Sequence, residues 1–329
     1  MLRMSKVTVY AGANPIKNAG IYRYQLDTLK GTLDGGALAY ECDEITTFHY
    51  SHFQLLVSCK KENEPLLTCL DCHQPMPYEV DRRHVMDHCD CGVVQDKERI
   101  YTVNDQTNVI TVYRKEHGKL KLEKRIKLKE HAECCEIVSN GQTIYVVCRG
   151  NDCVLLYDRD TCEPLEKSLV LPKGSAPEKL LIDPAGQYLY VLCSDANEIF
   201  VYKLGKHGSY RCQQICGLLP KGWKQSCISR KMLMSPNGKF LYVFIDGIHA
   251  VARFDIIHGN LKEAEMIESG GLNPYDALID ETGRWMIVIH KDSDNIIVFQ
   301  MNPESGEAIT ITDEKILSKG TCLTFAYRI

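Results

Sequence analysis

A seven-bladed β-propeller, an all-β ring of four-stranded antiparallel blades, is the fold predicted by this chain of 329 residues. Three observations predict it. One two-strand pattern occurs seven times, the copies follow at a near-constant step, and the two chain ends carry complementary parts of a single blade.

The clearest copies are GQYLYVLCSDANEIFVYKL (186–204), GKFLYVFIDGIHAVARFDI (238–256) and GRWMIVIHKDSDNIIVFQM (283–301). QTIYVVCRGNDCVLLYDR (142–159) and RIYTVNDQTNVITVYR (99–114) follow, and FQLLVSCKKENEPLLTCL (53–70) and VTVYAGANPIKNAGIYRYQL (7–26) are weaker. Equivalent positions fall at Tyr10, Leu55, Ile100, Ile144, Leu189, Leu241 and Met286, so the steps are 45, 45, 44, 45, 52 and 45 residues. Within each copy, short β-branched or aromatic runs flank a polar turn, a pattern of strands and not of helices. A further apolar run precedes most copies and ends in a tight turn, as in KLLIDPAGQ, KMLMSPNGK, ALIDETGR and CEIVSNGQ. Pro fixes φ in such turns and Gly supplies a positive φ.

A repeat of about 45 residues that holds four strands is a propeller blade. GTCLTFAYRI (320–329) reads as an inner strand without followers, and residues 7–26 read as followers without an inner strand. Joined, they complete the seventh blade from the N- and C-terminal strands and remove exposed sheet edges. Residues 1–329 are therefore read as a single domain.

Composition narrows the partners. The net charge is −4 and the sequence pI about 6.3, without the basic footprint that nucleic acid requires. The basic run KLEKRIKLKE (121–130) alternates with apolar residues and reads as a solvated outer strand. The N-terminus lacks the apolar core of a signal peptide, and no 18-residue apolar run exists. Sixteen cysteines without a secretion signal predict free thiols. A cytoplasmic protein is expected, with no nucleic-acid and no membrane partner.

Four stretches carry a family resemblance: AGANPIKNAGIYRYQLD, APEKLLIDPAGQYLYVLC, KMLMSPNGKFLYVF and NPYDALIDETGRWMIVIHKDSDNIIVF. They resemble the lactonase family of seven-bladed propellers, which includes the propeller-type 6-phosphogluconolactonase and the carboxymuconate-cyclising enzyme. The resemblance covers the whole chain and implies a site at the mouth of the central channel. In a four-stranded meander, the starts of the inner strands and the loops after the second strands share that face. The starts supply His88, Asp90, His131, Glu133, Glu178, Arg230, Tyr275, Asp276 and Thr321. The loops supply Asn14, Asn104, Asp105, Arg149, Asp152, Ser194, Asp195, Asp246, Lys291 and Asp292.

The residues depart from the family's pattern. A histidine pair of the form S-H-P-H becomes EHAE (130–133), which keeps His131 and replaces the second histidine by Glu133. An expected arginine becomes Glu178 in APEK, an N-E loop becomes CS with Ser194, and a later loop arginine is replaced near Asp246. The D-L-G-x-D loop survives as CRGND, with Gly150 and Asp152. Arginine suits a carboxylate or phosphate because it pairs bidentately. An acidic mouth is therefore expected, better suited to a neutral sugar, an amine or a metal ion than to a phosphorylated lactone. Clustered carboxylates also raise one another's pKa and become usable acids or bases. Glu133, His131 and Glu178 are the expected catalytic groups. Asp90, Arg149, Asp152, Ser194, Arg230, Asp246, Tyr275 and Asp276 are the expected substrate contacts. The alternative is that these acids are solvated or paired with Arg149, Arg230 and Lys231.

CLDCHQPMPYEVDRRHVMDHCDC (69–91) holds four cysteines and three histidines. The repeat places Cys69 at the close of a third strand, 73–87 in a connection, and 88–94 in the next inner strand. Strand alternation separates His88 and Asp90 from Cys89 and Cys91, against a tetrahedral zinc site. HVMDH (84–88) lacks the glutamate of H-E-x-x-H. Buried thiols in an ordinary connection are the simpler reading. No cofactor is required by the sequence. A divalent metal at the channel mouth, held by His88, Asp90, His131 and Glu133, is the functional alternative. No nucleophile elbow and no phosphate-binding glycine loop is present.

The resemblance thus implies a lactonase-like enzyme acting on a small sugar or sugar-acid derivative by acid–base chemistry. The competing expectation is a non-catalytic propeller that binds a partner protein. A concave point with several titratable groups favours the first, and a plugged channel the second.

Overall fold

The computed structural model describes residues 5–86, 91–205, 209–220 and 222–327. These residues form 29 strands and no helix. Each blade is an antiparallel meander. Blade 1 runs outward from Gly320–Ala326 through Lys6–Ala13 and Gly20–Asp27 to Thr32–Glu41. The C-terminal strand is thus the inner strand of the blade that the N-terminus completes, with Tyr10 opposite Thr324 and Ala11 opposite Leu323. Blades 2 to 7 begin on Glu44–Ser51, Gly92–Asp96, Cys134–Ser139, Pro177–Ile182, Ile228–Met234 and Pro274–Ile279. The seven repeat markers all lie in second strands, for example Ile144 in Thr143–Cys148 and Leu241 in Phe240–Asp246.

The turns behave as their chemistry requires. Asp183 Oδ1 accepts the N–H groups of Gln187 and Tyr188, and Gly186 takes φ +66°. Gly238 and Gly283 repeat this at φ +69°. Only glycine adopts this region without penalty.

The core lies between blades. Ile287, Ile289, Ile296 and Val298 of blade 7 pack against Val9, Tyr24, Leu26 and Phe325 of blade 1, all buried. Blades 5 and 6 meet through Tyr190, Val201, Leu241 and Phe254. Each such side chain contributes about 1.5–3 kcal/mol when removed from water. Residues 121–127 of the basic run lie in the outer strand Lys119–Lys127 of blade 3.

The stretch 69–91 requires correction. Cys69 lies inside the strand Glu64–Asp71. The expected connection contains the outer strand of blade 2, Tyr78–His84, and the next inner strand begins at Gly92. The outer strand's segment, YEVDRRH, has only Tyr78 and Val80 as apolar residues, and Val80 packs against the core between blades 2 and 3. His88, Cys89 and Asp90 lie outside the described residues.

Candidate active site at the channel mouth

Every inner strand is irregular at the same place. In six blades the pairing to the second strand skips one residue near the start: Thr46, Cys135, Glu178, Arg230, Tyr275 and Thr321. In blade 3, Cys91 N–H bonds the Val103 carbonyl while Gly92 pairs with the same residue. Such a bulge sets two residues against one and re-aims the side chains. Both members of each pair then face the channel: Cys135 with Glu136, Glu178 with Lys179, Arg230 with Lys231, Tyr275 with Asp276. The cavity they line encloses about 830 Å³.

The lining contains the carboxylates Glu44, Asp105, Glu133, Glu136, Glu178 and Asp276. It also contains Arg149, Lys179, Arg230, Lys231 and Lys291, besides His131. The mouth is therefore of mixed charge among the described residues, and the expectation of an acidic mouth is corrected. Sequence reasoning overlooked Glu136 and Lys179 because strict alternation turns one of two neighbours away from the channel. The available signal was an adjacent polar pair (EK, RK, YD) at the same position of successive repeats.

Two pairs link neighbouring blades inside the channel. Lys231 Nζ lies 2.6 Å from Asp276 Oδ1, and Asp276 Oδ2 accepts the Leu323 N–H of blade 1 at 2.8 Å. Lys179 Nζ lies 3.6 Å from Glu136 Oε1, and Glu136 Oε2 accepts the Leu180 N–H. Burial raises the Glu136 carboxyl above the usual carboxylate range, against the pull of Lys179. Burial also opposes the charge on Lys179, but Glu136 and other neighbours outweigh it and raise that group.

His131 and Glu133 occupy a tight loop before Cys134–Ser139, with φ of +56° and +47°. The loop is braced: Glu133 N–H donates to Asn108 Oδ1 at 2.8 Å, Gly150 N–H to the Ala132 carbonyl, and Asn151 Nδ2 to the His131 carbonyl. A Cβ on Gly150 would stand 2.1 Å from the His131 oxygen, so the surviving glycine of CRGND shapes the loop. Arg149 donates to both oxygens of Asp195 at 2.9 and 3.0 Å and approaches Glu178 at 3.8 Å. In blades 6 and 7, the Tyr275 ring carries two cations: Lys291 Nζ at 4.5 Å and the Arg230 guanidinium at 5.6 Å from its centroid.

Three residues expected at the substrate are placed elsewhere. Asp152 accepts the N–H groups of Gly174 and Ala176, both at 2.8 Å, and so ties blade 4 to the entry of blade 5. Asn14 does the same at Ile45, and Asn108 at Glu133. Ser194 is buried and donates to the Ser229 carbonyl at 2.8 Å. Asp246 lies outside the cavity lining and reaches Arg230 at 3.5 Å and His249 at 3.6 Å. Asp152, Ser194, Asn14 and Asn108 bond backbone groups at the next inner strand, a demand that position in the repeat does not disclose, whereas Asp246 stays within blade 6. Of the four expected metal ligands, His88 and Asp90 lie outside the described residues. Among the described residues no three His, Cys, Asp or Glu side chains form a metal-binding group.

The ring and its polar axial cavity define a seven-bladed propeller with an open pocket at the channel mouth. The chain matches the family described as "Lactonase, 7-bladed beta-propeller" over residues 8–325 and belongs to that family. It is 21% identical to the 6-phosphogluconolactonase of Bacillus subtilis (strain 168) over 159 residues, which cover 47% of this chain and 46% of that one. That match thus spans about half the length of each. An uncharacterized protein of Staphylococcus aureus (strain USA300) is 22% identical over 347 residues, covering 96% of this chain and 99% of the other. Among solved structures, a Lactobacillus plantarum protein superposes with a TM-score of 0.91 at 20% identity, covering 98% of this chain and all (100%) of that one. The periplasmic gluconolactonase PpgL of Pseudomonas aeruginosa gives 0.85 at 19% identity, with 98% and 99% covered. At these identities the structural likeness is one of fold. No helix among the described residues is long and apolar enough to cross a membrane.

Proposed function

We propose that this chain hydrolyses the lactone of a small sugar acid at the channel mouth. The observation that carries the reading is the division of one open cavity into two sectors. Arg230 and Lys291 gather on Tyr275 in blades 6 and 7, while His131, Glu133 and Glu178 enter from blades 4 and 5. Lys231 and Lys179 are held by Asp276 and Glu136 and serve to build the wall.

Lactone opening adds water to an acyl carbon and releases a hydroxyl. A base takes a proton from the attacking water, negative charge grows on the carbonyl oxygen, and an acid returns a proton to the departing ring oxygen. Glu133 and Glu178, with His131 beside them, supply proton-transfer groups. Arg230 and Lys291 supply positive charge for the oxyanion or for an acidic substituent. Positioned proton transfer is worth about 10²–10⁴-fold in rate. The cations make an acid-bearing lactone a fitting substrate, in contrast to the acidic mouth expected from sequence. The names of the family's gluconolactone-hydrolysing relatives support the same reading.

The test is acid release in a pH-stat, with the lactones of gluconate and of 6-phosphogluconate. Saturable acceleration above the spontaneous rate, reduced at least tenfold by Glu133→Gln, is expected. A wild-type rate equal to the spontaneous one for both lactones overturns the proposal.

A further inference from the structure

Three thiols form a row across blade 4, directly behind the candidate site. Cys134 pairs with Cys148 in the register of Cys134–Ser139 and Thr143–Cys148, and Cys148 pairs with Cys153 in the register of the next strand. Cys134 Sγ and Cys148 Sγ are 3.3 Å apart. Cys134 and Cys148 are wholly buried (0% exposed), whereas Cys153 keeps 9% exposure. None of the fifteen described cysteines is in a disulfide, so the row is a set of reduced thiols. Its chain neighbours belong to the mouth: Glu133 precedes Cys134, and Arg149 follows Cys148.

We propose that Cys153, Cys148 and Cys134 form a peroxide-responsive thiol relay that ends in a Cys134–Cys148 disulfide. The placement carries this. Thiol–disulfide exchange requires the attacking, central and leaving sulfurs in a row. Three side chains at one register level of three adjacent strands supply that row, with Cys148 at its centre. Directly opposed residues of an antiparallel pair have Cα atoms about 4.5–5.5 Å apart, within the span that a disulfide bridges.

The steps balance. Hydrogen peroxide oxidises the Cys153 thiolate by two electrons to a sulfenic acid, and the peroxide's other oxygen leaves as water. The Cys148 sulfur attacks that sulfur, its S–O bond breaks, and a second water leaves as the Cys148–Cys153 bond forms. Cys134 then attacks Cys148, and Cys153 departs as a thiol. Two thiols and one peroxide become one disulfide and two waters. The product lies on two wholly buried sulfurs, where solution thiols reach it poorly. Its own hydrogen bond to Cys148, with burial, holds the Cys153 thiol above the usual range, so the first step quickens as pH rises. The bond draws the two sulfurs from 3.3 Å to about 2.0 Å and pins the strand after Glu133 to the strand before Arg149. This effect on the mouth rests on the proposed function; formation of the bond does not.

The experiment treats the reduced full chain with hydrogen peroxide, alkylates remaining thiols, and maps tryptic peptides by mass spectrometry. Cys134 and Cys148 share peptide 130–149, and Cys153 lies in 150–159. The end product is therefore a two-hydrogen mass loss within the first peptide, with fragmentation separating Cys134 from Cys135. The intermediate is a cross-link between the two peptides. Cys153→Ser is expected to slow the end product at least tenfold, and Cys148→Ser to abolish both species. Absence of the Cys134–Cys148 bond when exposed Cys212 is already oxidised overturns the relay, as does an unchanged rate in Cys153→Ser. If Cys153→Ser fails to fold, Cys153→Ala is read in the same way. Lack of lactonase activity leaves this measurement intact, so the two proposals fail separately.

Discussion

Lys231 Nζ meets Asp276 Oδ1 at 2.6 Å, and this contact fastens blade 6 to blade 7 inside the channel. The Asp276 side chain is 10% exposed and also accepts Leu323 N–H, so a single carboxylate joins three blades, the last formed by both chain ends. Removing one partner of a buried pair leaves an uncompensated charge. Lys231→Met is expected to cost about 1–3 kcal/mol, below the ~3–5 kcal/mol of a fully buried pair because channel water still reaches the lysine. Urea unfolding of the two single variants and the double variant Lys231→Met/Asp276→Asn measures the coupling. Additive costs would show the contact to be incidental.

Gly150 packs closely against the His131–Glu133 loop and braces it. Gly150→Ala places a methyl group against the His131 carbonyl, a backbone atom that cannot rotate away. A loss of about 1–3 kcal/mol is expected, the range for forced overpacking. The denaturant midpoint reads it. Lactone hydrolysis should fall more than Gly217→Ala lowers it, since that glycine has open space around it and no left-handed φ. Equal behaviour of the two variants contradicts the bracing role.

How much of this was legible beforehand follows from periodicity. The repeat step located all seven second strands through Tyr10 to Met286, and the incomplete ends named the closing blade. Position in the repeat also brought His131, Glu133, Glu178, Arg149, Arg230, Tyr275 and Asp276 to the cavity. What was not legible depends on local departures from the period. The bulges turned Glu136, Lys179 and Lys231 inward, and backbone caps withdrew Asp152 and Ser194. A one-residue shift reverses every face in a strand, so charge at the mouth could not be counted from alternation. The outer strand Tyr78–His84 was missed because it carries only two apolar residues, Tyr78 and Val80, among charged ones.

The proposed function assigns Arg230 and Lys291 to acidic groups of the substrate. Arg230→Gln or Lys291→Gln should raise KM for 6-phosphogluconolactone about tenfold, equivalent to ~1.4 kcal/mol, with a smaller change for gluconolactone. Initial rates at varied substrate and salt decide it. Equal shifts for both lactones would remove the cations from recognition of the acidic group.

Acid should destabilise the ring before carboxylates are protonated. His290 is fully buried, and burial pushes its imidazole down to about 4. Unfolded, it titrates near 6.5, so between those values the unfolded chain binds the extra proton. Stability therefore rises with pH across that window and falls on acidification, by up to about 1.4 kcal/mol per pH unit for this group. Burial likewise pushes His49 to about 4. His290→Leu should flatten part of the slope. Thermal midpoints between pH 4.5 and 7.5 that decline as steeply in the variant as in the wild type would assign the acid sensitivity elsewhere.

The most direct measurement is crystallographic density at the channel mouth after soaking with 6-phosphogluconate, the product of the acid-bearing lactone. The phosphate or carboxylate is predicted beside Arg230 and Lys291, with the sugar chain extending toward Glu133 and Glu178. A product molecule bound on another face, or a mouth that stays empty at saturating concentration, would contradict the account.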